Sequence, residues 1–234
     1  MKNNLIIPIL IIIIGLSILF FFSNRSSSSI DVFDSIIEEN ATTTYTEIHI
    51  SYPSILQNRY QEVFDFIQST KDDFLSEYDL NNQPDQYSTD IQENFPYELS
   101  ISTKVSTSTK TTSYIIEVYE YIGGVHGETS ITTFTYDYFG NILNLNDILK
   151  GDYIKYISSL SRNYFYQNLG DDSQKDMIDN GTEPKPENFS SWYLTDDTLV
   201  FIFGEYQIGP YVIGIKEFPI YRSEISNILN LKFK

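Results

Sequence analysis

The chain has 234 residues, of which 15 are Lys or Arg and 32 are Asp or Glu, so its formal net charge is −17 at pH 7. This balance argues against nucleic acid as a partner, because phosphate binding needs clustered cations. The sequence contains no Cys, which excludes disulfides, thiolate metal sites and a thiol nucleophile. Its 19 Tyr and 16 Phe make it too rich in core-forming residues to be disordered.

The first 25 residues predict a signal anchor. Residues 5–22 form the uncharged run LIIPILIIIIGLSILFFF, which at ~1.5 Å per residue would span roughly 27 Å, near the thickness of a bilayer core. The run ends in three Phe, a poor cleavage site, so an uncleaved transmembrane helix is favoured and secretion after cleavage is the alternative. Residues 26–41 follow as a Ser-rich tether.

The orientation of this anchor is not set by charge, because Lys2 and Arg25 flank the run on opposite sides. Export of the acidic bulk is favoured, since a four-residue head can hold no domain. We therefore predict a single-pass protein of the cell membrane whose bulk is extracytoplasmic.

Residues 42–120 are predicted to form the first part of the exported domain. Apolar and polar side chains alternate over residues 42–52, which predicts a half-buried strand that ends at Pro53. Over residues 58–78 the apolar side chains recur at helical spacing, which predicts an amphipathic helix. Three strands follow, and their short connections predict an antiparallel meander. They cover residues 99–105, 114–122 and 129–138.

Residues 121–234 are predicted to form the second part. Asp152 can cap a second helix. The polar composition of residues 170–187 predicts a loop. A β region is predicted over residues 192–221, and a short helix over 223–229. The predicted fold class is α+β, an antiparallel sheet meander with two main helices packed on it.

A search for chemistry returns one candidate loop. The sequence has no nucleophile elbow, P-loop or dinucleotide glycine motif, and we expect no cofactor. His126 lies in the run GGVHG at 123–127, between two predicted strands. Glycines allow positive φ and close approach, so this loop has a defined shape. His126 could bond backbone groups of a hairpin or belong to a binding or catalytic loop. Because no other His and no Cys lies near His126 in the sequence, the loop predicts no metal site.

Several stretches resemble, in order, one family of bacterial extracytoplasmic domains. They include ISYP at 50–53, YIGGVHG at 121–127 and FGEYQIGPYVIG at 203–214. The family comprises the domain of unknown function 3298 (DUF3298) with its preceding strand–helix region, and it is typified by the exported part of the anti-sigma factor RsiV and by the accessory region of the peptidoglycan deacetylase PdaC. The resemblance implies an exported α+β domain, RsiV-like over residues 121–234, without established catalytic activity of its own. In RsiV-type proteins this domain is a receptor for lysozyme, a cationic muramidase.

We therefore expect a membrane-anchored extracytoplasmic binding domain that is not an enzyme. Its expected partner is a cell-envelope component such as peptidoglycan, or a cationic protein such as lysozyme, which an acidic domain would attract. One alternative is a peptidoglycan-modifying enzyme or accessory module with His126 in the site, assisted by a carboxylate such as Glu128; another is a structural envelope protein. The motif positions predicted for binding, which could instead serve the fold, are Gly123, Gly124, His126, Gly127, Tyr206, Pro210 and Tyr211.

Overall fold

Two β-sheets organise the part of the chain that the structure, a computed structural model, describes, namely residues 35–79, 96–169 and 174–234. The fold is mixed α+β. The predicted anchor at residues 5–22 lies outside the described residues, as do positions 26–34 of the predicted tether. Within the described ranges, no helix combines the length and the apolar character needed to cross a bilayer.

The first sheet has six strands that lie in chain order. They are β1 (Ile36–Thr42), β2 (Thr46–Pro53), β3 (Tyr97–Thr107), β4 (Thr111–Tyr121), β5 (Glu128–Asp137) and β6 (Ile142–Leu143). β3, β4 and β5 are antiparallel neighbours, but β2 runs parallel to β3, with Ile50 opposite Ile101. The predicted antiparallel meander of three strands is therefore confirmed, but the sheet as a whole is mixed, because β2 reaches β3 through a crossover rather than a hairpin.

Two helices, α1 (Leu56–Arg59) and α2 (Gln61–Tyr78), belong to that crossover. The predicted helical spacing holds in α2, whose buried side chains Val63, Ile67 and Phe74 pack with the first sheet. Their partners in the first core include the alternating strand residues of β2, β3 and β4. These partners are Ile48, Ile50, Tyr52, Leu99, Ile101, Tyr114, Ile116 and Val118.

The second sheet has three antiparallel strands, β7 (Trp192–Leu194), β8 (Thr198–Phe203) and β9 (Lys216–Tyr221). The helices α3 (Leu145–Ile148), α4 (Tyr153–Leu169) and α5 (Lys175–Gly181) precede it in the chain. The second core gathers around α4 and β8, whose side chains are buried on the facing surfaces. Its largest fully buried side chains are Phe165, Phe189, Phe201, Phe203 and Phe233.

Three segments differ from their sequence-based assignments. Residues 36–42, assigned mostly to the tether, form β1, an edge strand whose side chains are largely exposed and which is held by backbone pairing to β2. Helix α5 lies inside the predicted loop 170–187 and buries only Ile178 and Gly181. The predicted closing helix at 223–229 is a series of turns.

The two sheets meet along a seam formed by β7 and the neighbouring strands of the first sheet. The backbone N–H of Trp192 donates to Thr133 Oγ1 at 2.9 Å, and Ser191 Oγ donates to the carbonyl of Ile131 at 2.8 Å. Ser106 Oγ makes a third link, to the carbonyl of Leu194 at 3.3 Å. The seam therefore ties residues that are far apart in sequence, and it fixes loops of the first sheet against loops of the second.

Candidate functional site

The loop between β4 and β5 is shaped by its glycines and by Tyr121. Gly123 and Gly124 have φ values of 98° and 99°, a left-handed conformation that favours glycine. Tyr121 Oη donates to the carbonyl of Gly124 at 3.2 Å. A Cβ on Gly127 would lie 2.5 Å from the Tyr119 ring and 2.6 Å from the backbone oxygen of Glu120. These glycines therefore shape the loop, as the sequence predicts.

His126 is held in this loop with one nitrogen committed to the backbone. Its Nδ1 lies 2.8 Å from the carbonyl oxygen of Gly127. Because a carbonyl oxygen can only accept, Nδ1 carries the proton in this contact. In the neutral ring Nε2 is then an acceptor, and Tyr206 Oη, at 3.3 Å, can donate to it. These two contacts therefore fix the tautomer of the neutral His126 ring and the orientation of that ring in the loop.

The segment that follows β8 brings two tyrosines to His126 across about eighty residues of sequence. The Tyr211 ring stacks on the imidazole, with ring centroids 3.8 Å apart and planes inclined by 14°. The Tyr206 and Tyr211 centroids are 5.9 Å apart. We call His126, Tyr206 and Tyr211 the His126 cluster. Tyr206 is 45% exposed and Tyr211 36%, so the cluster is a surface platform.

The backbone of this segment is built to present the two tyrosines. Tyr206 has a φ of 60°, a left-handed conformation that non-glycine residues seldom adopt and that indicates a constrained site. Pro210, with a φ of −65°, leads into the single 3-10 turn Tyr211–Ile213. Gln207 anchors the segment, because its Nε2 donates to the carbonyls of Gly181 at 3.1 Å and Asn188 at 3.0 Å.

A further link joins the segment to the first sheet. The backbone N–H of Thr129 in β5 donates to Glu205 Oε2 at 3.0 Å. Glu205 and Gln207 were not singled out by the sequence analysis, although both lie in the stretch 203–214 that carries the family resemblance. Their roles need contacts from other parts of the chain, which spacing does not show.

Carboxylates lie beside the platform. Glu120 and Glu128 face each other across β4 and β5, and the pKa of Glu120 is raised, first by burial and then by the charges of Glu128 and Glu77. Glu128 was the carboxylate suggested to assist His126, but it lies opposite Glu120, and its negative charge contributes to the raised pKa of Glu120. In the described ranges no three His, Cys, Asp or Glu side chains are grouped so that they could hold a metal ion.

All seven predicted positions are thus placed. His126, Tyr206 and Tyr211 come together in the cluster. Gly123, Gly124 and Gly127 shape the loop that carries His126, and Pro210 precedes the turn that carries Tyr211. A residue that the sequence analysis missed, Tyr119, lies beneath the loop. Its pKa is raised by burial first, then by Glu98 and Tyr211, which places it beside the platform.

Two family descriptions match the chain. The family described as "Deacetylase PdaC" matches residues 39–129, and the family described as "Protein of unknown function (DUF3298)" matches residues 146–223. The Bacillus subtilis (strain 168) protein named peptidoglycan-N-acetylmuramic acid deacetylase PdaC is 30% identical over 140 residues, which are 58% of this chain and 30% of that protein. The chain therefore spans about a third of the length of this relative.

Two solved structures share the fold. A crystal structure of a DUF3298 family member from Bacteroides fragilis has a TM-score of 0.60 and 20% identity, covering 84% of this chain and 92% of that one. A DUF3298 family protein from Pseudomonas aeruginosa PAO1 has a TM-score of 0.60 and 13% identity, covering 85% and 95%. The predicted resemblance to PdaC and DUF3298 proteins is confirmed by these matches.

The predicted function needs a correction. We expected a non-enzymatic domain that binds an envelope component or lysozyme. The prediction of a binding domain of that kind, with no part in peptidoglycan modification, is wrong, because the PdaC match and the named B. subtilis deacetylase point to a role in peptidoglycan modification. The alternative, in which His126 belongs to the site of a peptidoglycan-modifying enzyme or accessory module, agrees better with these relatives.

Proposed function

We propose that this chain, which joins a PdaC region to a DUF3298 region, takes part in peptidoglycan modification by holding the glycan strand on the His126 cluster. The observation that carries the proposal is the exposed stack of His126 on Tyr211, with Tyr206 at its edge. As part of this proposal, the domain lies on the extracytoplasmic side of the membrane, where peptidoglycan is found.

The chemistry of the cluster suits a sugar. Exposed aromatic side chains offer a rigid apolar face together with a polar group, and the apolar face of a pyranose ring can pack against it. Tyr206 Oη and His126 Nε2, 3.3 Å apart, lie at the edge of the platform, where they can exchange their mutual hydrogen bond for bonds to a sugar hydroxyl or an acetamido group. Little ordering is needed on binding, because Gly127 and Gln207 already hold the rings in place.

The position of the cluster also supports this role. His126 comes from the part of the chain that matches PdaC, whereas Tyr206 and Tyr211 come from the part that matches DUF3298. The platform therefore forms only when both regions are folded against each other. A binding surface shared in this way explains why the two regions would occur together in one chain.

Co-sedimentation of the full chain with purified insoluble peptidoglycan tests the proposal. We expect Tyr211→Ala to weaken binding about tenfold, which corresponds to ~1.4 kcal/mol. Tyr221→Ala is the matched control, because Tyr221 is an exposed tyrosine at the end of β9, and it should bind like the unaltered chain. Failure of the unaltered chain to sediment with peptidoglycan, or equal losses in the two variants, would refute the proposal.

A second candidate is deacetylation by this chain itself. It is favoured by the tautomer of His126, whose Nε2 is left as an acceptor beside the exposed Tyr206 hydroxyl and can take up a proton, and by the name of the B. subtilis relative. The assay is acetate release from peptidoglycan by the full chain, with His126→Ala as the inactive variant. Release that is unchanged in His126→Ala, or that never exceeds a blank without protein, removes this candidate.

A further inference from the structure

We propose that the end of the domain opposite the His126 cluster docks on a bilayer surface that carries anionic lipids. The docking surface, called here the turn-end patch, combines exposed apolar side chains with lysines. Its apolar members are Tyr138, Phe139, Ile142 and Leu231, and its lysines are Lys110, Lys232 and Lys234. This inference does not depend on the proposed function of the cluster.

The apolar part of the patch is open to solvent. Phe139 is 82% exposed, Leu231 is 82% exposed and Tyr138 is 66% exposed. Tyr138 and Phe139 occupy the turn between β5 and β6, with their rings edge to face at 5.7 Å. Large apolar side chains that stay exposed together in a folded domain indicate an interaction surface.

Contacts bring the lysines to this turn. Lys110 Nζ, from the β3–β4 turn, donates to the main-chain oxygens of Lys232 at 2.6 Å and Lys234 at 3.3 Å. Burial acts to raise the pKa of Asp137, the residue that precedes Tyr138, but hydrogen bonds from Asn141 and Phe139 and the positive charge of Lys232 lower that pKa overall.

The charge balance at this end differs from that of the whole chain. In the described part, none of Lys110, Lys232 and Lys234 forms an ion pair with an Asp or Glu side chain. The nearby carboxylates of Asp137 and Asp196, whose pKa values are lowered, stay negatively charged, and they accept the backbone N–H groups of Phe139, Asn141 and Thr109, so acidic and basic groups lie together at this end. A chain with a net charge of −17 is repelled by an anionic surface over most of its area, so such a surface is best approached through this end.

Aromatic side chains beside lysines suit the membrane interface. Tyr and Phe can enter the headgroup region with their rings, while the lysine stems lie along the apolar surface and their ammonium groups reach the lipid phosphates. Anionic lipids add an attraction that falls off within a Debye length and is therefore weakened by salt. The apolar burial of the aromatic rings and the electrostatic attraction of the lysines therefore act at the same place on this domain.

The direction of the strands agrees with such docking. β4 starts at Thr111 beside the patch and ends at Tyr121 beside the His126 loop, which at ~3.4 Å per residue is roughly 34 Å away. β1 starts at Ile36, near the middle of the sheet, and runs toward the His126 end, because Thr42 pairs with Glu47 and Glu47 with Glu98. Docking through the patch would thus direct the cluster away from the lipid and toward the wall polymer.

Single-cysteine labels on the full chain provide the test, since the chain has no Cys of its own. Phe139→Cys and Val125→Cys are each labelled with an environment-sensitive fluorophore; Val125 is 99% exposed at the opposite end. The labelled chains are reconstituted into vesicles of phosphatidylcholine alone or mixed with phosphatidylglycerol. We expect a blue shift of the label at residue 139 in the mixed vesicles only, reversed by salt, and no shift at residue 125.

Charge reversal sharpens the test. The double variant Lys110→Glu, Lys232→Glu in the Phe139→Cys background should lose most of the blue shift, whereas Lys155→Glu, an exposed lysine on α4, should keep it. Far-ultraviolet circular dichroism checks that each variant is folded. The proposal is overturned if the label at residue 139 stays in water in both vesicle types, if both labels shift equally, or if a folded charge-reversal variant keeps the full shift.

Discussion

The two cores of this molecule bury different aromatic residues. The first core, under the six-stranded sheet, contains Tyr52, Tyr60, Tyr114 and Tyr136, whereas the second contains Phe165, Phe189, Phe201 and Phe203. In the first core a buried hydroxyl needs a partner, and Tyr52 donates to Glu39 at 2.6 Å while Tyr136 donates to Glu62 at 3.2 Å. The buried tyrosine hydroxyls therefore give the first core a contribution that depends on pH, whereas the four phenylalanines of the second core contribute through packing alone.

Phe203→Ala gives the largest expected effect and acts on the second core. Phe203 is fully buried, and its ring meets Phe165 at 4.8 Å and Phe189 at 5.8 Å between centroids. Loss of the ring leaves a cavity, so we expect the free energy of unfolding in urea to fall by ~3–5 kcal/mol. Phe139→Ala, at an exposed position, is the control and should change it by less than ~0.5 kcal/mol. A loss no larger than that of the control would contradict the packing described.

Alkaline pH should act on the first core. Burial, and then the hydrogen bond to Glu39, raise the pKa of Tyr52 from 10.0 to about 12. In the unfolded chain this tyrosine loses its proton near pH 10, so its contribution is complete below that pH and is lost as the pH rises toward 12. The loss is on the order of 2–3 kcal/mol at 1.36 kcal/mol per pKa unit. Urea unfolding from about pH 9 to pH 11.5 measures it.

Tyr52→Phe is the variant that assigns this alkaline loss. It removes the ionisable hydroxyl, so its stability should fall less steeply above pH 10 than that of the unaltered chain. Tyr136, whose pKa is also raised by burial and by Glu62, should retain a part of the pH dependence. A free energy of unfolding that does not change over the alkaline range would contradict a contribution of the buried tyrosine hydroxyls to the stability of the first core.

Acid should remove a smaller contribution to the free energy of unfolding, which also comes from the first core. Burial acts to raise the pKa of Glu39, but hydrogen bonds from Lys71 and Tyr52 and the charge of Lys71, at 2.6 Å, lower it overall. A lowered pKa gives a contribution that is present above the ordinary value of 4.5 and is lost as the pH falls below it. We expect Glu39→Gln to cost ~1 kcal/mol at neutral pH and to reduce the acid sensitivity.

Glu38→Gln is the matched control for Glu39→Gln, because Glu38 is the exposed neighbour on the same strand. It should leave both the neutral stability and the acid limb of the unfolding curve unchanged. Equal acid limbs for Glu39→Gln and the unaltered chain would mean that another carboxylate sets the acid response.

The smallest expected change in the free energy of unfolding concerns two tyrosine hydroxyls of the first core. Tyr114 Oη is buried and has no hydrogen bond of good geometry in the described part of the chain, whereas Tyr136 Oη is bonded to Glu62. Tyr114→Phe should therefore be neutral or stabilising by up to ~1 kcal/mol, and Tyr136→Phe should cost ~1 kcal/mol. Equal losses in urea unfolding would show that the Tyr114 hydroxyl has a partner.

The sequence predicts those parts of the fold that local patterns specify. The apolar spacing of α2 and the alternation in β2 and β3 are confirmed, because each follows from which side of one element is buried. β1 was missed because an edge strand is held by backbone pairing and buries few side chains. The parallel pairing of β2 with β3 could not be predicted either, since it joins segments separated by a crossover.

The candidate site was reached by a different route. Spacing alone singled out His126 and its glycines, while Tyr206 and Tyr211 came from the family resemblance. No local pattern could place a tyrosine ring 3.8 Å from an imidazole some eighty residues away, because that contact depends on the seam between the sheets. Glu205 and Gln207 were missed for the same reason.

The parallel pairing of β2 with β3 also bears on the order in which the chain folds. β3, β4 and β5 are joined by the short connections 108–110 and 122–127, whereas residues 54–96 separate β2 from β3. Closing a short loop costs less conformational entropy, so we expect the three central strands to pair early and the β1–β2 hairpin to join late. The strand nearest the N-terminal residues would then be the last added to the sheet and the first to detach.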